Sequence, residues 1–502
     1  MKRLWWPLLI LAICLPVALL ALDVPLPGVS GGGARPKPLP VPDGDHELAY
    51  LHTTTNANTW ERLVTGLMRV PDRVPGLTVD DRNAFIDSTT AVPELVIARE
   101  GHPGKLRVRW YKLNRDATTA DWIEALAARQ PAPLAVVGGG STDRAVDLAN
   151  AMRAHERWHG PRPALFITTA TADEILTADG HPRLVDVYDD RTFRFCFTNR
   201  QMADAVLDFT FNTPDLAPAD FTDIGPRAAF PQLKPRGEFR PNVQSVVWND
   251  DPYSVDLQSQ FGAALRDRFT ARHDAYDYQQ LRMGYSVGGA LHPNADEAVN
   301  AAGVADTLRN LPPQRSLLVL PAVTQPARRF LRATVEAHPE AAKHLVVVTG
   351  DGIPVNAILR DGEFAWPVGL LNVPLVLFTH DNPVAWDAGP HPSGYTFSPP
   401  NSTEEAAHFT RMGRVVAEAC LPHDGATVRD SDDLIARLHA RKPAFFDANG
   451  ERLGGTGEFV VVVRPREHSP TGVAEVGVWR RNSRAQWVLV RTLPIATAGV
   501  TP

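Results

Sequence analysis

The chain has 502 residues, 44% of them hydrophobic and 8% aromatic, more than one ordinary core accommodates, so two lobes or domains are expected. Its 51 basic and 57 acidic residues leave a net charge of −6 with no basic block, which argues against nucleic acid as a partner. Forty-four prolines promise many rigid loops.

In chain order, Met-Lys-Arg precedes an uncharged apolar run from Leu4 to Leu22 that Asp23 ends. About 20 apolar residues span a bilayer, and Lys2 and Arg3 place the start in the cytoplasm. Residues 1–23 read as a signal anchor, or as a signal peptide that is removed; no small-x-small cleavage site follows the run. Cys14 does not make a lipobox, because Ile13 stands where a small residue belongs. Residues 24–43 are Pro- and Gly-rich without periodicity and read as a tether. The remainder is expected outside the cytoplasm, membrane-anchored on the periplasmic side, where Cys196 and Cys420 either pair or stay as buried thiols.

After the tether, short apolar runs alternate with helical patterns, as in parallel sheets covered by helices. Strand candidates include Glu47 to Thr53, Leu106 to Leu113, Leu134 to Gly138, Ala164 to Thr169, Ser316 to Ala322, His344 to Gly350 and Val373 to Thr379. The Pro-rich stretch Phe211 to Asn242 reads as a boundary or long crossover, and Asn449-Gly450 as the turn of a C-terminal hairpin.

Two strand ends carry candidate chemistry. "VGGGSTDRAVDLA" turns from strand into helix through Gly138 to Thr142, aiming free N–H groups and a positive helix end at one point. It matches neither the phosphate-binding lysine motif nor the dinucleotide fingerprint. The plain alternative is a tight turn with Ser141 as helix cap. "TTATADEI" repeats the pattern on the next strand with Thr168 to Thr171, and two such ends would suit a carboxylate.

The series "GGGSTDRAVDLA", "TTATADEI", "DRTFRFCFTNRQMADAVLDF", "VQSVVWNDDPYSVDLQSQFGAAL" and "LLVLPAVTQPARRFL" resembles the type I periplasmic binding proteins. In particular it is similar to the leucine/isoleucine/valine-binding subunits of ABC transporters, over roughly Glu47 to Val490. The resemblance implies an α/β fold of two Rossmann-like lobes joined by hinge strands, closing on a small ligand and preceded here by the membrane segment. It implies that Ser141 or Thr142, with Ala170 and Thr171, bind a ligand carboxylate. Tyr253 would close over the ligand from the second lobe, and Asp351 would pair with an ammonium group, although Asp-Gly is also a common turn pair. Lobe one would comprise residues 44–232 and 401–440, and lobe two 241–371. Residues 372–400 would be the hinge return, and 441–502 a β-hairpin near the hinge. The chain departs from the family at "HTTTNANTW", where His52, Thr53 or Trp60 can reshape the pocket wall, at Ser254, and in lacking a retained lipoprotein cysteine.

His380, Asp381, Asp387 and His391 could ligate a metal in principle, but without a compact His pair they read as a Pro-rich loop. No Gly-x-Ser-x-Gly elbow is present, and no cofactor or catalytic set is expected. The sequence thus points to a solute-binding protein for a small polar ligand, with an ABC permease as partner. One alternative is an anchored sensor or scaffold of the same fold; another is a nucleotide-dependent α/β transferase using the Gly138 to Thr142 loop.

Overall fold

A computed structural model describes residues 36–54, 57–86, 91–175, 180–218, 243–248, 251–270, 281–284, 315–359, 372–386 and 403–495. The first sheet contains β1 (His46–Thr53), β2 (Leu77–Asp80), β3 (Glu94–Arg99), β4 (Leu106–Leu113), β5 (Ala135–Gly138), β6 (Ala164–Ile167) and β7 (Thr192–Arg194). Its order is β2-β3-β4-β1-β5-β6-β7, parallel from β4 onwards. The second contains β8 (Val243–Val247), β9 (Leu281–Gly284), β10 (Ser316–Val319), β11 (Leu345–Val348), β12 (Leu375–Thr379), β13 (Phe459–Arg464), β14 (Glu475–Arg481) and β15 (Trp487–Pro494). Its order is β15-β14-β13-β12-β11-β10-β8-β9, parallel from β12 to β9. The central strands β5, β6, β10, β11 and β12 are uniformly buried, which is why they read as unbroken apolar runs rather than as alternating ones.

The helices are α1 (Ala57–Met68), α2 (Thr119–Ala127), α3 (Thr142–Ala154), α4 (Asn199–Phe211), α5 (Pro252–Thr270), α6 (Thr324–Ala337), α7 (Pro339–Ala342), α8 (Val355–Leu359), α9 (Glu404–Cys420) and α10 (Ser431–Ala440). On one face of the first sheet, α1 contributes Trp60, Leu63, Val64 and Leu67, a helical stripe that meets Phe409, Met412 and Val416 of α9. Two glycines permit the close approach: a Cβ on Gly413 would lie 2.3 Å from Leu67 Cδ2, and one on Gly66 2.4 Å from the Ala406 carbonyl. Helices α2 and α3 cover the other face. The second sheet is covered by α6 and α8 on one side and by α4 and α5 on the other.

The chain passes between the sheets three times: at residues 195–198, between β12 and α9, and at residues 441–458. The first passage lies earlier than the sequence suggests. Val206, Leu207 and Phe209 of α4 pack with Val376, Phe378 and Val460 of the second sheet, so the first lobe ends near Thr198 and not at residue 232. Residues 219–242 of the expected crossover lie outside the described residues. The C-terminal region also differs from a hairpin at the hinge, since β13, β14 and β15 run antiparallel and widen the second sheet. Asn449-Gly450 instead turns within the third passage, where Phe446 bridges Arg452.

The apolar segment 1–23 and most of the tether lie outside the described residues, and among those described no helix is long and apolar enough to cross a membrane. Where the tether meets the first sheet, the buried Glu47 carboxylate accepts from Arg109 at 2.6 Å, Arg129 at 2.9 Å and the Tyr111 hydroxyl at 3.1 Å. Both arginines also donate to the Leu39 carbonyl. Cys196 and Cys420 are separate buried thiols, and burial pushes each up to about 12.

Candidate ligand-binding cleft

The C-terminal ends of the parallel strands of the two sheets converge beside the three passages. The wall from the first sheet is made of main chain. Gly139 has φ +74°, and a Cβ there would lie 2.9 Å from Ala145 Cβ, so this turn tolerates no side chain without strain. Ser141 occupies the cap position of α3 but its hydroxyl makes no cap bond, leaving it and the first N–H groups of the helix available. Thr142 opens the helix and is mostly buried.

The neighbouring loop is welded to this one. The Thr168 hydroxyl donates to the Gly138 carbonyl at 3.1 Å and the Thr169 hydroxyl to the Gly140 carbonyl at 3.2 Å. Ala170 and Thr171 are almost wholly buried, and their carbonyls hold the first passage: Ala170 accepts from the Cys196 thiol, Thr171 from Asn199 N and Arg194 Nη1. These carbonyl bonds tie the loop to the first passage, and the Ser141 hydroxyl makes no cap bond. His52, at the end of β1, turns its Cε1 edge towards Gly140. Burial, with Arg144 second, holds its imidazole down to about 4 and therefore neutral, and its Nε2 has no partner.

The second wall is made of side chains. Tyr253, in the first turn of α5, donates its hydroxyl to Asp351 Oδ1 at 3.0 Å and accepts from Gly352 N at 3.0 Å. His380, just beyond β12, lies 2.7 Å from Asp351 Oδ2 through Nε2, while its Nδ1 accepts from Phe197 N at 3.2 Å. That acceptor role leaves the proton on Nε2, so His380 is a neutral donor to the carboxylate. Burial, then the Asp351 charge, pushes the Tyr253 phenol well above its ordinary value. Tyr253 and Asp351 thus stand on one lobe and bond to each other, and both oxygens of Asp351 are already engaged.

Several residues of this region were not singled out from the sequence. Glu404 is the first residue of α9; burial, then the charges of Asp351 and Glu405, pushes its carboxyl well above the usual range. Glu405 pairs with Arg62. One turn on, His408 lies 3.0 Å from the Thr168 carbonyl and 5.8 Å from the His380 ring; burial above all holds its imidazole well below its ordinary value. Arg452, in the third passage, donates through Nη1 to Phe195 of the first passage at 3.2 Å and, more weakly, to the His380 carbonyl of the second at 3.4 Å. Its guanidinium stacks 3.5 Å from the Phe197 ring centroid. The acidic pair before "AAHF" signals a helix start.

His380 bonds Asp351, and Asp381 pairs with Arg411 at 2.8 Å, so these two candidate metal ligands have protein partners. Asp387 and His391 lie outside the described residues. Among those described, no group of three or more His, Cys, Asp or Glu side chains could hold a metal ion.

No family model and no curated protein matches the chain. Solved structures do. The chain is similar to a leucine binding protein from Thermotoga maritima at 13% identity and TM-score 0.46, covering 89% of this chain and 99% of that one. It is similar to an ABC transporter substrate-binding protein from Desulfitobacterium hafniense in complex with Leu at 12% and 0.49, covering 89% and 100%. A third is the solute binding protein of an ABC transporter from Rhodopseudomonas palustris in complex with 3,4-dihydroxybenzoic acid, at 12% and 0.44, covering 91% and 99%. At these identities the likeness concerns the fold.

Proposed function

We propose that the protein is an extracytoplasmic solute-binding protein that captures a small polar ligand, an amino acid or a related carboxylate, by closing its two lobes, and that it serves an ABC-type permease. The observation that carries this reading is the opposition of two unlike walls beside a three-passage hinge. One offers the uncapped Ser141 hydroxyl and the N–H groups opening α3; the other offers the Asp351 carboxylate held by neutral donors. A helix N-terminus attracts a small anion, by about 0.3–1 kcal/mol for each exposed charge. A carboxylate opposite it gives the cleft a polarity suited to a ligand with unlike ends. On this reading the apolar segment 1–23 keeps the protein at the membrane.

Thermal denaturation of the full chain in the presence of amino acids, small carboxylates, sugars and nucleotides tests this. A ligand at 100 times its dissociation constant adds about 2.7 kcal/mol to the folded state. We expect stabilisation by at least one amino acid or small carboxylate. A response confined to nucleotides would favour the transferase alternative, and silence from every carboxylate would sink the ligand class.

A further inference from the structure

We infer that His52, at the end of β1, is a ligand-contacting residue: its Nδ1–H takes one oxygen of a carboxylate whose other oxygen lies at the α3 terminus. This rests on the ligand-capture reading above. Strand alternation puts Tyr50 and His52 on the same face of β1, and the two rings stack with centroids 5.7 Å apart. The His52 carbonyl accepts from Trp110 Nε1 at 3.0 Å, so main chain and ring are both held. The residue is only 4% exposed. Its Cε1–Nδ1 edge faces the glycine turn: these two atoms lie 3.4 and 3.8 Å from where a Cβ on Gly140 would stand. Trp60, a few residues on, belongs to the core instead and donates Nε1 to the Ala84 carbonyl at 2.7 Å.

The three histidines beside the cleft differ in what fixes their protons. His380 is set by Phe197 N on one side and Asp351 on the other, and His408 by the Thr168 carbonyl at its Nε2. Among the described residues no protein group bonds the His52 imidazole, and its Nε2 is buried without a partner. A neutral imidazole carries its proton on one nitrogen or the other. Orphaned N–H groups are rarer in folded proteins than orphaned acceptors, so the proton belongs on Nδ1, at the edge that faces the turn. Burial holds the ring down to about 4, so this donor brings no charge of its own. The turn offers it no acceptor in exchange. The Gly138 and Gly140 carbonyls take the Thr168 and Thr169 hydroxyls, and no side chain caps α3. Donors from β1 and from α3 therefore meet at one place, and a small anion is what such a place takes.

Calorimetry on the full chain, with leucine, phenylalanine, 4-methylpentanoate and benzoate as probes, tests this. An asparagine amide nitrogen stands near the Nδ1 position and a glutamine amide nitrogen near Nε2. His52→Asn, His52→Gln and His52→Phe thus read the two nitrogens and the ring shape separately. For the probes that bind, we expect His52→Phe and His52→Gln to weaken affinity by about tenfold, the loss of one hydrogen bond to a charged group, and His52→Asn to stay within about threefold. Urea midpoints are measured alongside, and the comparison of the two amides stands even where His52→Phe does not fold. Unchanged affinity in His52→Phe would overturn the assignment, as would rescue by His52→Gln in place of His52→Asn, or equal weakening in all three. Each of those results leaves the capture reading standing, because the unaltered protein binds. Silence of the unaltered protein towards all four probes and every other carboxylate would remove that reading and this assignment with it.

Discussion

Two carboxylates, Glu47 on the first sheet and Asp351 on the second, have both oxygens engaged, yet they are held in different ways. Glu47, fully buried near the tether, is answered by the guanidinium groups of Arg109 and Arg129. Asp351, at the cleft, is answered by a neutral imidazole and a phenol. Charged partners cancel a charge as they fix it. Neutral partners fix the geometry and leave the charge uncancelled, so the cleft keeps a negative pole while the far end of the first sheet does not.

The largest effect should come from Glu47→Gln. It removes the counter-charge of two mostly buried arginines, and breaking such a set costs about 3–5 kcal/mol. Urea unfolding should show that loss, with ligand affinity unchanged in the protein that remains folded. A smaller loss than that of Asp351→Asn would break the comparison. That second substitution should cost only about 1 kcal/mol in the same measurement, because an asparagine can place its carbonyl against His380 Nε2 and its amide against the Tyr253 oxygen. Its main effect should instead be weaker capture of positively charged probes as salt-dependent attraction is lost; an unchanged salt dependence would count against an uncancelled pole.

The smallest effect concerns Asp173, an acid on the loop that follows β6. Burial, opposed by Arg194 and reinforced by Asp256, pushes it up to about 6. The folded protein therefore binds this proton more tightly than the unfolded chain, whose aspartates titrate near 4. Its stabilising contribution is complete below about pH 4 and is lost as the pH rises through about 6. Against Asp173→Asn, the unaltered protein should lose urea stability between pH 4 and 6 and run parallel above that range. Parallel curves throughout would show that burial does not disfavour this charge.

Much of the architecture could be read from the sequence because the central strands are short, uniformly apolar and bounded by glycine or hydroxyl residues, as at Ala135 to Ser141. The loop opening α3 was equally legible, since Gly139 and Ser141 announce a turn and a cap by residue type. The lobe to which α4 belongs was not. Thr198 and Gln201 form a capping box that marks where the helix starts, but an amphipathic helix looks the same whichever sheet it covers. Asp351 was visible as a strand-end acid, whereas its partner His380 stands 29 residues away beyond another strand. Glu404 was hidden for the same reason: its neighbours come from other parts of the chain. Local pattern reveals which atoms a segment offers, and long-range packing decides which of them are already spent.

Arg452 lends the hinge a property of its own. Lying in one passage, it reaches a carbonyl in each of the other two and a ring in the first, and among the described residues no carboxylate is bonded to its guanidinium. The three connections meet at this one residue. If the lobes close on a ligand as proposed, loosening it would shift their resting angle, and with it the fraction of molecules already shaped to hold that ligand. Apparent affinity scales with that fraction even when every pocket contact is the same. On the proposed function, the tightness of capture would thus be tuned at the hinge as well as in the pocket.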